Sequence, residues 1–144
     1  MSKSLGGFFT DSLVCARAGL CTIRDLGGTN QILGCQIDEA GYHKGWAFLQ
    51  HTHVYYAEGL VWINTDKSLL ALAEDQHLFA DNRVLPAHAV RRGMYLLDSA
   101  FHLQRVVHVE RLPHTAPVCV LQADSKFLFV AGLLVESTME SWHE

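Results

Sequence analysis

Nine histidines and four cysteines in 144 residues are the side chains of this chain best suited to metal ligation and nucleophilic attack. His51 and His53 stand two apart, which on a strand puts both rings on one face at a spacing two zinc ligands can use. The sequence places no third ligand beside them, so neither a metal nor a cofactor is expected. Cys15, Cys21, Cys35 and Cys119 form no CxxC pair and no regular framework. A reduced, intracellular setting fits such thiols best, although their even number leaves disulfides open. Cys21, Cys35 and Cys119 lie among apolar neighbours, where free cysteine acts as a small core residue. The same bland reading applies to Cys15 on a first strand.

The elements that must position these groups are mostly strands. Gln31 to Ile37 reads as a strand, closed by the turn Asp38-Glu39-Ala40-Gly41. Thr52–Tyr56 and Leu60–Asn64 are β-branched and aromatic, and Ala57-Glu58-Gly59 between them signals a hairpin. Leu69–Ala73 reads as a strand, although Leu, Ala, Glu and Asp also favour a helix there. Arg105–Val109 alternates, and Val118–Leu121 and Phe127–Val135 flank the polar turn Asp124-Ser125-Lys126. The best helical candidate is short, Pro86 to Met94. Many short, closely spaced strands predict an all-β barrel or sandwich-like disc.

Composition narrows the class further. A hydrophobic fraction of 49% with 18% charged residues describes a folded domain of ordinary size. Net charge is −4 and the basic residues are scattered apart from Arg91-Arg92, so no nucleic acid is expected as partner. The longest apolar run, Phe127–Val135, falls well short of the ~20 residues a membrane span needs. No h-region precedes Cys15, so no signal peptide and a cytoplasmic setting are expected. Residues 1–12 look like an arm of Ser, Gly and Lys around Phe8-Phe9. Such aromatics would dock on a protein partner or a second copy, or else fold back on their own domain.

Three segments, in order, resemble the hedgehog/intein (Hint) domain family. Cys15 to Ile23 is similar to the family's opening strand, which begins with a nucleophilic cysteine. Gly59 to Asp66, followed by Leu69 to Ala80, resembles the hairpin leading into the family's TxxH motif, with Glu74-Asp75-Gln76-His77 in that place. Arg92-Gly93-Met94-Tyr95-Leu96 looks like the strand entry after it. Ala116–Leu121 and Phe127–Val135 resemble the closing hairpin. The resemblance implies an all-β, pseudo-symmetric, Hint-like disc with little helix, spanning residues 15–138 between an arm (1–14) and a tail (139–144). Over Gln31–Leu97 the likeness leans towards the hedgehog-like branch.

In such domains a cysteine sulfur attacks the preceding carbonyl and turns an amide into a thioester, while the histidine protonates the departing nitrogen. The resemblance implies Cys15 as nucleophile, the Val14 carbonyl as target and His77 as proton donor, with Glu74 in the threonine place. These groups are expected to be vestigial. Glu136-Ser137 stand where an intein would finish in His-Asn, which excludes splicing, and Val120 and Lys126 occupy places that usually carry His or Asp. The expectation is a degenerate domain with lost or feeble self-cleavage, retained as an interaction module.

A second likeness competes with the first. His51 to Val61 is similar to the histidine strand of circularly permuted papain-like acyl hydrolases and acyltransferases, with Cys119 as their nucleophile. That nucleophile starts a helix, whose dipole and backbone N–H groups lower its pKa. A helix beginning at residue 119 therefore separates the two readings.

Overall fold

Residues 6–26 and 31–137 are described by the structure, a computed structural model. Four strands come first among the described residues: β1 (Phe8–Phe9), β2 (Leu13–Ala16), β3 (Gly19–Thr22) and β4 (Gln31–Asp38). A long β5 (Gly41–Ala57) follows, then β6 (Leu60–Thr65), β7 (Leu69–Ala73), β8 (His77–Ala80) and β9 (Arg83–Pro86). The last five are β10 (Tyr95–Leu97), β11 (Leu103–Leu112), β12 (Ala116–Ala123), β13 (Phe127–Val130) and β14 (Leu133–Glu136). Helix is confined to two 3₁₀ turns, Ile23–Asp25 and Ala87–Ala89, among the described residues.

Neighbouring strands run β10-β11-β6-β7-β1-β12-β5-β4-β2-β13-β14-β8, and Leu96 opposite Ala80 pairs β10 back onto β8. The sheet thus closes on itself, which satisfies backbone groups that an open edge would leave exposed. Two long strands make the turn from one half to the other, each at a bulge. β5 pairs β4 as far as Phe48 and then β12 from Leu49, with the register slipping at Gln50. β11 pairs β10 as far as Arg105 and then β6 from Val106, slipping at Val107. An extra residue bends a strand and sharpens its twist, so each bulge falls where the strand must change partner. This correspondence is the disc's pseudo-symmetry. The core inside is aliphatic: Leu72, Leu78, Leu96, Leu121, Leu128 and Leu133 are fully buried.

Several expectations are corrected. Thr52–Tyr56 and Leu60–Asn64 do not form a hairpin, because β5 pairs β12 and β6 pairs β11 across the Ala57–Leu60 link. Phe127–Val135 is two strands joined at Ala131-Gly132, both at positive φ (54° and 75°), the handedness a tight hairpin turn requires. The helix expected over Pro86–Met94 stops at Ala89, since Val90 is extended and Gly93 sits at φ 95°. Leu69–Ala73 is a strand and not the helix that its Leu and Ala also favour.

Phe8 and Phe9 are not exposed docking aromatics. Phe8 is buried between Cys119 and Leu72 as part of β1, and Phe9 is half-buried against Val118 and its neighbours. Gly6 and Gly7, at φ 78° and 110°, turn the chain into the sheet just before them, a path that a side chain at either position would resist.

Candidate functional site

One buried polar centre surrounds the peptide between Gly6 and Gly7. The Gly7 N–H donates to Gln76 Oε1 at 2.7 Å, and the Tyr55 hydroxyl donates to the Gly6 carbonyl. Both ends of one peptide unit are therefore held by side chains. The Gly7 carbonyl in turn accepts from the Ala73 N–H at 2.9 Å. Gln76 lies in the three-residue connection between β7 and β8 and is only 6% exposed, so every polar group it carries needs a partner. Its Nε2 donates to the His77 carbonyl at 2.9 Å and to the Glu136 carbonyl at 2.7 Å. Both amide hydrogens and the oxygen are thereby used.

The space around this peptide is closed. A Cβ on Gly6 would stand 2.7 Å from Gln76 Oε1, and one on Gly7 would stand 3.1 Å from the Cys119 carbonyl oxygen. Glycine at both positions follows from the backbone angles and from these approaches together.

The residues singled out in the sequence lie elsewhere. Cys15 is half-buried in β2, opposite Leu20. His77 is exposed at the start of β8. β13 and β14 lie between their strands, so Cys15 and His77 are not neighbours in the sheet. Glu74 is an exposed carboxylate paired with Arg111 at 2.8 Å. In the stretch Glu74-Asp75-Gln76-His77 it is Gln76, which the sequence did not single out, whose side chain reaches a backbone nitrogen.

The two expected places in the closing segment hold a valine and a lysine, with no His or Asp. Val120 is fully buried, and Lys126 is exposed with its ammonium over the Phe127 ring. Ser137, 5% exposed, donates its hydroxyl to the Ser125 carbonyl and its N–H to the Lys126 carbonyl.

The papain-like alternative is overturned. Cys119 lies in the middle of β12, paired with Val54 and Phe8, and no helix starts there. Burial pushes its thiol up, against a smaller opposing effect from the His53 backbone hydrogen bond, so the thiolate a nucleophile needs is disfavoured. His53 instead stacks on Tyr55. Among the described residues no three His, Cys, Asp or Glu side chains gather to hold a metal ion. Nor is any helix among them long and apolar enough to cross a membrane.

The sequence matches no family model and no curated protein. Solved structures do match. A bacterial intein-like domain from Clostridium thermocellum is 16% identical, with a TM-score of 0.81 over 93% of this chain and all of that one. A DnaB intein from Synechocystis sp. PCC 6803 is 11% identical, with a TM-score of 0.78 over 93% of this chain and 99% of the other. The gp41-1 intein is 12% identical, with a TM-score of 0.74 over 93% of this chain and 100% of the other. At such identities the likeness is one of architecture. The chain has the Hint/intein fold.

Proposed function

We propose that this chain is a Hint-fold domain that does not cleave itself and serves as an interaction module. One observation carries the reading: the peptide held as a scissile bond would be held has glycine on both sides. In the self-processing scheme a sulfur attacks the carbonyl before it while a histidine protonates the leaving nitrogen. Gln76 touches the Gly7 nitrogen, so Gly7 takes the nucleophile's position and has no side chain to attack with. Gln76 takes the histidine's position and offers an oxygen that accepts the N–H, which favours the intact amide. Counting back three residues puts Ala73, which has no hydroxyl, in the threonine's place. Cys15 is then a strand residue eight positions beyond the centre.

What remains is a stable disc with apolar side chains on its surface. Val54 and Tyr56 alternate along the outward face of β5 and are 56% and 69% exposed. Such side chains support a protein partner as the ligand. Four free thiols are consistent with a reducing, cytoplasmic setting.

The test is intact-mass measurement after long incubation with dithiothreitol. A single full-length species is expected. A product lacking residues 1–6 or 1–14 overturns the reading, and its mass tells which peptide broke. A photo-crosslinking amino acid in place of Tyr56, introduced in cells, tests the interaction: a discrete adduct is expected, and its absence removes that half of the proposal.

A further inference from the structure

A second feature shares no residue with the Gly6–Gly7 centre. A cavity of about 590 Å³ opens where the turn after β1, the β2–β3 hairpin, the turn before β7 and the β13–β14 hairpin converge. That volume lies within the range of about 300–1,000 Å³ typical of small-molecule sites. Its walls are apolar: Phe9, Leu20, Trp62, Leu69 and Phe129 contribute, and Leu20, Leu69 and Trp62 remain 74%, 44% and 36% exposed. So much aliphatic and aromatic surface left in water around a concavity is unfavourable unless something covers it.

Charge selects the occupant. Among the described residues the lining holds one anion, Asp11, and one cation, Lys67. Asp11 is paired with Arg24 at 3.3 Å, whereas Lys67 makes no ion pair among the described residues. Lys67 is held at the rim by a fixed turn. The Thr65 hydroxyl accepts the N–H groups of Lys67 and Ser68 and donates to Gln104 Oε1 at 2.6 Å. Ser68 and Ser99 add polar groups to the same lining. The cavity thus offers an apolar wall, an available cation and neighbouring hydroxyls at its mouth.

We infer that this cavity binds an aliphatic monocarboxylate of the medium-chain fatty acid class, its chain against Leu20, Trp62 and Phe129 and its carboxylate at Lys67. The site itself supplies the reporter. Cys15 lines the cavity and Cys21 does not, yet both thiols are partly exposed on the same hairpin.

The experiment is N-ethylmaleimide labelling of the intact chain, resolved by peptide, with decanoate below its micellar concentration. Decanoate is expected to slow labelling of Cys15 while leaving Cys21 unchanged. The half-protecting concentration should fall along hexanoate, octanoate and decanoate by up to about fourfold per methylene. Lys67→Gln, a change at an exposed turn, should weaken protection about two- to fivefold, as a solvent-facing ion pair allows. Decyltrimethylammonium, with the same chain and opposite charge, should protect at least threefold less well, an amount within the same order. Absence of protection, equal protection of both cysteines, a flat chain-length series or equal protection by the cation overturns the inference.

Discussion

Gln76 Oε1 lies 2.7 Å from the Gly7 nitrogen, and the same side chain's Nε2 lies 2.7 Å from the Glu136 carbonyl. One buried amide therefore joins the two ends of the described chain, 60 residues apart on one side and 69 on the other. Removing it leaves a buried N–H and two partly buried carbonyls without this partner. Gln76→Ala is expected to lower unfolding free energy by about 2–4 kcal/mol, from unsatisfied groups that each cost about 1–3 kcal/mol before relaxation. Urea titration checks this, and a loss under about 0.5 kcal/mol, the scale of an ordinary surface change, would mean that the bridge is not structural.

Gly7 makes a sharper prediction because two costs coincide there. At φ 110° an L side chain is strained, and its Cβ would crowd the Cys119 carbonyl at 3.1 Å. Gly19 has a similar φ of 134° with nothing within 4 Å of its Cβ position, so it isolates the backbone cost alone. Gly19→Ala is expected to cost about 1–2 kcal/mol and Gly7→Ala distinctly more, about 3 kcal/mol. Thermal or urea midpoints of the two variants, measured side by side, decide it. Equal losses would show that the close approach to Cys119 relaxes freely.

The four thiols should divide into two pairs. Burial raises the Cys119 thiol and, against weaker effects from the His43 backbone and Lys44, the Cys35 thiol, so both stay protonated at ordinary pH. Cys15 and Cys21 are partly exposed. Iodoacetamide at pH 8 is expected to modify Cys15 and Cys21 in the folded protein, and Cys35 and Cys119 only once urea unfolds it. Peptide mapping reads the result directly. Rapid modification of Cys119 in the native protein would revive a nucleophilic role for it.

How far the sequence could be read follows from what each kind of signal reports. Alternation located β4 and β11, because a strand half-facing the core writes its burial into every second residue. Strand partners are a different matter. The Ala57-Glu58-Gly59 link looks like a hairpin turn locally, yet both flanking strands pair with β11 and β12, some 50 residues away. Phe8-Phe9 resembled an arm because its neighbours are Gly, Ser and Lys, while the buried partners Leu72 and Cys119 are remote in sequence. The site was blurred for a chemical reason. A histidine and a cysteine attract attention as reactive groups, whereas this centre is built from two glycines, an alanine, a glutamine and a tyrosine hydroxyl, none of them a residue type that spacing marks out as a nucleophile.

The turn Asp98–His102 gives the pH prediction. Burial raises the Asp98 carboxyl, but hydrogen bonds from the His102 N–H, the Gln104 amide and the Ala100 N–H together outweigh it and leave it below the ordinary carboxylate value. Gln104 passes the constraint to Thr65 and so to the turn that carries Lys67. A carboxylate depressed in the folded state contributes stability that is complete above its unfolded pKa of about 3.9 and fades as pH falls through the lower folded value. Asp98→Asn keeps one acceptor oxygen but turns an amide NH₂ towards the Gln104 amide or the turn's N–H groups. At pH 7 the variant is expected to be about 1–2 kcal/mol less stable, the scale of hydrogen bonds to a charged acceptor. The gap should hold steady from pH 7 to about 5 and narrow below about 4 as wild-type Asp98 takes up its proton. Paired urea titrations across that range measure the gap. A difference that widens on acidification would mean that the folded carboxyl sits above, not below, its unfolded value.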